Sequence, residues 1–157
     1  MAQEIERKFL VADRLFLRGL EGIDCTQGYV PGRARSAVRI RTKGQRGFLT
    51  IKSATRGIVR SEFEYEIPLV DAQEMLELFC DKPLIEKTRY EVPFAGDVWE
   101  VDVFGGPNTG LVLAEIELGT ADQVFEKPPW LGEEVSHDAR YFNSQLARNP
   151  YSSWRTA

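Results

Sequence analysis

Histidine is almost missing from this chain: His137 is the single one in 157 residues. A mechanism that needs two histidines is excluded, and any metal must be held mainly by oxygen ligands. Cysteine is nearly as scarce. Cys25 and Cys80 lie far apart, fit neither a zinc site nor a disulfide framework, and read as small apolar residues in a reducing cytoplasm. No apolar run nears the ~20 residues that a membrane-spanning helix needs. The opening MAQEIERKFL carries charges where a secretion signal has its apolar core. A cytoplasmic location with no membrane partner is the expectation. At this length, one domain over residues 1–157 can bury most of its apolar surface without disulfide or zinc support.

Two further absences are local. From Cys25 to Ser61 there is no Asp or Glu, yet nine Lys or Arg; from Tyr90 to Glu126 there is no Lys or Arg, yet eight acids. Ordinary solvated surfaces mix the two signs. The net charge of −4 argues against a general nucleic-acid binder, so the segregation points to one half built for an anion and the other for a cation.

What is present is alternation. Strands are expected over residues 3–11, 25–31, 36–42, 47–53, 57–68, 84–94, 97–104 and 111–119, because apolar and polar residues take turns. Short helices are expected over 13–20 behind Asp13, over 71–80 with Asp71 and Glu74 as caps, and over 137–147 behind Ser136. PPWLG reads as a loop. GGPNTG lacks a βαβ context, so it reads as a hairpin connection rather than a dinucleotide loop. The pattern predicts an α+β chain dominated by an antiparallel sheet or barrel of roughly eight strands.

Alternation also sorts the charges. Glu4 and Glu6 share a strand face, as do Arg39 and Arg41, Lys87 and Arg89, Glu100 and Asp102, and Glu115 and Glu117. Like charges about 6.6 Å apart repel by roughly 2.5 kcal/mol at an effective dielectric of 20. Five such pairs on five strands are favourable only with something of opposite sign between them. The acidic rows suit divalent cations and the basic rows a polyanion. If the apolar faces turn outward beneath the helices, the charged faces line a hydrated, open bore.

Glu4-Ile5-Glu6-Arg7-Lys8 resembles the E-x-E-x-K opening of the triphosphate tunnel metalloenzymes, the CYTH superfamily, small bacterial type. Arg39-x-Arg41, Thr50-Ile51-Lys52, Glu62-x-Glu64, Lys87-x-Arg89, Glu100-x-Asp102 and Glu115-x-Glu117 follow in that family's order, and the segment from Val135 to Leu146 resembles its closing helix. The resemblance implies an eight-stranded antiparallel β-barrel, a tunnel, with a few short flanking helices. It implies Mg²⁺ or Mn²⁺ held by Glu4, Glu6, Glu115 and Glu117, joined by Glu62, Glu64 and Asp102. Lys8, Arg39, Arg41, Lys52, Lys87 and Arg89 would grip phosphate oxygens. Lys8 and a Tyr29–Lys52 dyad are the implied catalytic groups.

The activity so implied is hydrolysis of a linear triphosphate, foremost inorganic tripolyphosphate, by direct attack of water, since no nucleophilic Ser, Cys or His constellation is present. A thiamine or nucleoside triphosphatase, a class IV-type adenylyl cyclase and a non-catalytic polyphosphate binder stay open beside it. So does a homodimer.

Overall fold

The computed structural model describes residues 3–32, 36–54 and 57–154. Strand β1 (Gln3–Val11) opens the chain and is followed by β2 (Ile23–Val30), β3 (Ser36–Lys43), β4 (Arg46–Ser53) and β5 (Val59–Ile67). After helix α1 (Leu69–Leu78) come β6 (Ile85–Phe94), β7 (Asp97–Phe104) and β8 (Val112–Glu117). A short β9 (Leu131–Glu134) and helix α2 (Asn143–Arg148) complete the regular elements. No helix among the described residues is long and apolar enough to cross a membrane.

Eight strands form a closed antiparallel ring in the order β1-β5-β4-β3-β2-β6-β7-β8, and β8 returns to β1. Closure removes the free edges that an open sheet would expose. The eight-stranded antiparallel barrel expected from the sequence is therefore present. β1 has three partners on two edges: β8 along residues 6–10, β5 at residues 3–5, and β9 at Phe9 and Val11. In this ring β3 lies opposite β8 and β4 opposite β7, so the basic strands face the acidic ones across the bore.

Hairpin chemistry sets the register. β6 and β7 are joined by Ala95-Gly96, both at positive φ, the conformation of a type I′ turn. β3 and β4 are joined by Gly44-Gln45, of which only Gly44 has positive φ. With register fixed, each strand turns its apolar side outward. Ile5, Phe9, Trp99, Val101, Ala114 and Ile116 form a core outside the barrel wall. It is sealed by Trp130, Phe125 and Phe16, with Phe16 stacked on Trp130 at 4.2 Å. α1 lays Ala72 and Leu76 against Ile40 on β3. It comes so close that a Cβ at Gly47 would stand 2.7 Å from that of Ala72.

Several local expectations are corrected. Residues 13–20 do not form a helix: a single 3-10 turn spans Leu15–Leu17, and Asp13 accepts from the Leu15 amide instead of capping a longer element. α1 begins two residues earlier than expected, after Pro68, with no side-chain cap, and Asp71 lies in its first turn. PPWLG is not all loop, because Leu131 and Gly132 begin β9. The helix expected over 137–147 is split into a 3-10 turn, Ala139–Tyr141, and α2. Asp138, not Ser136, caps that turn, while the Ser136 hydroxyl accepts from the Lys8 amide.

The largest correction concerns what α2 covers. It does not lie over the outer wall. Leu146 and Ala147 pack with Ile85, Phe104 and Leu113, whose side chains lie on the inward faces of their strands. One end of the bore is thus filled with apolar side chains. The rest of the tunnel's interior is lined by charged side chains.

Candidate active site

The inward faces enclose a cavity of about 480 Å³. Eight Lys or Arg and seven Glu line it. The cations sit deep: Lys8, Arg39, Arg41, Lys52, Lys87 and Arg89 are each only 5–8% exposed. The acids are shallower, with Glu4, Glu6, Glu62 and Glu100 half-buried and Glu64 and Glu117 exposed; Glu115 alone among them is buried. Strand alternation turns Arg39 with Arg41 and Lys87 with Arg89 inward, with one outward residue between the members of each pair.

The deep cations crowd one another. Burial, with Arg39 and Arg60 nearby, lowers the Lys52 ammonium to about 7 against the weaker pull of Glu4 and Glu6. Burial lowers Lys87 to about 8, helped by Arg89 and Arg41 and resisted by Asp102 and Glu115. Burial and Arg41 press Arg39 below its usual value. Among the described residues, the Nε atoms of Arg39 and Arg41 are buried without an acceptor. Orphaned guanidinium donors are costly unless an anion meets them.

The acids repel one another in turn. Burial and the charges of Glu115 and Glu4 raise Glu6 well above the usual carboxylate range. Burial acts to raise Glu115 as well, but Lys8, the neighbouring Glu6 carboxyl, Arg89 and Lys87 outweigh it and hold Glu115 well below. Burial, Glu4 and Glu100 raise Glu117. Among the described residues no three acids stand ready-converged as a metal cage. Yet Glu6, raised by burial and by Glu115 and Glu4, lies where a positive charge would be favourable, and hard carboxylate oxygens are the donors that Mg²⁺ and Mn²⁺ take.

Thirteen of the fourteen residues singled out from the sequence line this one cavity: Lys8, Tyr29, Arg39, Arg41, Lys52, Lys87 and Arg89, with Glu4, Glu6, Glu62, Glu64, Glu115 and Glu117. Asp102 does not. It is 1% exposed and fully engaged: Arg89 donates to both its oxygens at 2.8 and 2.9 Å, and Lys87 Nζ stands 2.9 Å away. Burial opposes its ionisation, but Lys87 and Arg89 lower it to about 2. Its place is behind Lys87 and Arg89 rather than on the cavity wall. Glu62 and Glu64 line the cavity while leaning on Arg39, Arg41 and Lys52 at 3.3–4.0 Å. Tyr29 and Lys52 share no hydrogen bond among the described residues. The Tyr29 hydroxyl meets Gln27 Nε2 at 3.2 Å, and burial raises its pKa, so it stays protonated at neutral pH.

Sequence reasoning left out several lining residues. Arg60 and Glu100 sit on the same alternation as Glu62 and Asp102, so parity alone carried their signal. Arg60 lies opposite Glu4 in register and reaches its carboxylate at 3.2 Å. Phe142 and Asn143, at the closed end, come from a segment whose spacing fits an outer cover equally well.

The CYTH domain model matches residues 2–149. This chain belongs to the CYTH family. Among its CYTH relatives, an inorganic triphosphatase of Acetivibrio thermocellus is 47% identical over 155 residues, covering 99% of each chain. Another, from Nitrosomonas europaea, is 42% identical over 149 residues, covering 92% of this chain and 96% of that one. The solved structure of an inorganic triphosphatase superposes with a TM-score of 0.67 at 38% identity, covering 94% of this chain and 95% of the other. A Hippeastrum CYTH-like fold, described as a putative adenylyl cyclase with dominant triphosphatase activity, shares 18% identity and a TM-score of 0.59 over 74% of this chain. At that distance it speaks for the architecture alone.

Proposed function

We propose that this CYTH chain is a divalent-metal-dependent triphosphatase that hydrolyses a linear triphosphate, foremost inorganic tripolyphosphate, by attack of water inside the barrel. One observation carries the reading: six Lys and Arg side chains, each almost wholly buried, converge on one cavity whose shallower wall is carboxylate. Buried cations so crowded repel one another, and a guest bearing several negative charges would relieve that repulsion. The names of the two relatives at 42% and 47% identity support the same substrate class.

Lys8, Arg39, Arg41, Lys52, Lys87 and Arg89 bind and orient the phosphate oxygens. The arginines offer planar forks, and the lysines act as point charges. Charge spreading over the terminal phosphoryl group then develops among donors already in place, so little reorganisation is needed. Asp102 holds Lys87 and Arg89 in position. The apolar packing of α2 keeps bulk water from the closed end. Glu4, Glu6, Glu115 and Glu117, with Glu62 and Glu64 beside them, would hold Mg²⁺ or Mn²⁺. When bound, such an ion neutralises phosphate oxygens and makes a water molecule more acidic.

Phosphate release from tripolyphosphate, ATP and thiamine triphosphate, each with Mg²⁺ and with Mn²⁺, tests the proposal. Tripolyphosphate is expected to give the highest kcat/KM, and Glu6→Gln to lower it by roughly 100-fold or more. Cyclic AMP and pyrophosphate from ATP, or binding of all three without product, would overturn it.

A further inference from the structure

The closed end of the cavity carries a neutral side chain among the cations. Asn143 is the first residue of α2, and it lines the cavity with Lys8 and Lys87. One atom of its amide lies 3.0 Å from Lys87 Nζ and 3.1 Å from Gln27 Nε2. An ammonium has only hydrogens to give, so the amide atom facing Lys87 must be the oxygen. That settles which way Asn143 points, which an amide's shape alone would leave undecided.

The same logic passes to Gln27, which is fully buried. The Asn143 oxygen can only accept, so Gln27 must face it with its NH₂ group. The second hydrogen of that group meets the Tyr29 hydroxyl oxygen at 3.2 Å. Lys87, Gln27 and Tyr29 thus lock the Asn143 amide in one orientation. Among the described residues, no acceptor takes a hydrogen from Asn143 Nδ2. Its two hydrogens belong to a side chain on the cavity wall, beside Lys8, whose Nζ is itself anchored at 3.1 Å by the Tyr141 carbonyl.

We infer that Asn143 is a substrate-binding residue: its Nδ2 donates to an oxygen of the phosphoryl group seated at the closed end of the cavity, while its Oδ1 fixes Lys87 beside that group. The inference rests on the triphosphatase reading and adds to it a subsite and a residue from outside the barrel strands. A neutral donor does there what a further lysine would not. It directs a hydrogen bond without adding a charge beside Lys52 and Lys87, which burial and neighbouring arginines already depress. It also makes α2 part of the binding site rather than a stopper alone.

Asn143→Asp removes the donor and puts a charge in its place, while Asn143→Ser changes the donor without adding charge. The carboxylate keeps an oxygen for Lys87 and Gln27 but turns a second oxygen, not an NH₂, toward the phosphate. A hydrogen bond to a charged group is lost and a repulsion gained, so KM for tripolyphosphate is expected to rise roughly 10- to 100-fold. kcat should change less than KM, and the melting temperature of the ligand-free protein should hold or rise, because the new carboxylate would gain an ion pair with Lys87. Asn143→Ser, which retains a shorter donor, should show a smaller rise in KM. Calorimetric Kd values for tripolyphosphate, measured without turnover, should follow the same order. An Asn143→Asp protein with wild-type KM and Kd overturns the inference. So does a loss of melting temperature in both variants with KM unchanged, which is the mark of a purely structural role. If Asn143→Asp does not fold, the Kd of Asn143→Ser decides, and an unchanged value is fatal. Wild-type protein that binds tripolyphosphate without hydrolysing it would sink the triphosphatase reading and leave the Asn143 comparison standing through Kd.

Discussion

Lys52, proposed above to bind phosphate, bears a cost in the empty fold. Its folded-state pKa of about 7 lies below the unfolded value of 10.5. Below about pH 7 the ammonium is charged in both states, and the fold carries its full desolvation cost. As pH rises from there toward the unfolded value, the folded lysine is neutral while the unfolded one still holds its proton, so the cost shrinks and stability rises. Lys52→Met removes the ammonium while keeping the length of the side chain. It should raise the melting temperature, more at about pH 6 than at about pH 9, while turnover falls by roughly 100-fold or more. Thermal scans at the two pH values check this, and an equal gain at both would refute it. Asp102 marks the limit of reading residues from sequence. Its parity places it on the inward face with Glu100, but parity says nothing of depth. Lys87 and Arg89, lying against it, turn it from a wall residue into a support. The rows Glu4-x-Glu6-x-Lys8 and Arg39-x-Arg41 were legible because strand period alone decides which side chains share a face.

At the level of elements, the strands were the most readable and the helices the least. Strand limits fell within a few residues of expectation because alternation persists for eight to ten residues at a time. β9 was missed for a physical reason. LGEE has too little apolar alternation to announce a strand, and it is held by backbone pairing to Phe9 and Val11. The stripe of Leu146 and Ala147 was visible, but an apolar stripe does not say whether it meets the outside of a barrel or stops its end. The β6–β7 hairpin carries a small removable strain. Ala95 sits at φ 50°, where a side chain costs about 1 kcal/mol, and it precedes Gly96 in a turn that favours Asn-Gly. Ala95→Asn should therefore raise the melting temperature by about 2–4 °C with kcat/KM unchanged. A drop in melting temperature would contradict the turn assignment.

For the molecule as a whole, the segregation of charge along the chain becomes complementarity across space. The acid-free stretch supplies β3 and β4, and the base-free stretch supplies β7 and β8, which the ring places opposite them. Such an interior is frustrated when empty, so ligands should stabilise it strongly. Tripolyphosphate with Mg²⁺ at a thousand times its Kd should add about 4 kcal/mol to the folded state, seen as a rise in melting temperature. No rise at saturating ligand would count against the whole electrostatic reading. The three-way partnership of β1 has one more consequence, for the order of events during synthesis. Residues 6–10 pair with residues 113–117, and Phe9 and Val11 with Glu134 and Leu131. The barrel's first strand thus waits, half-dressed, for its last, and the barrel stays unsealed until translation has passed residue 134.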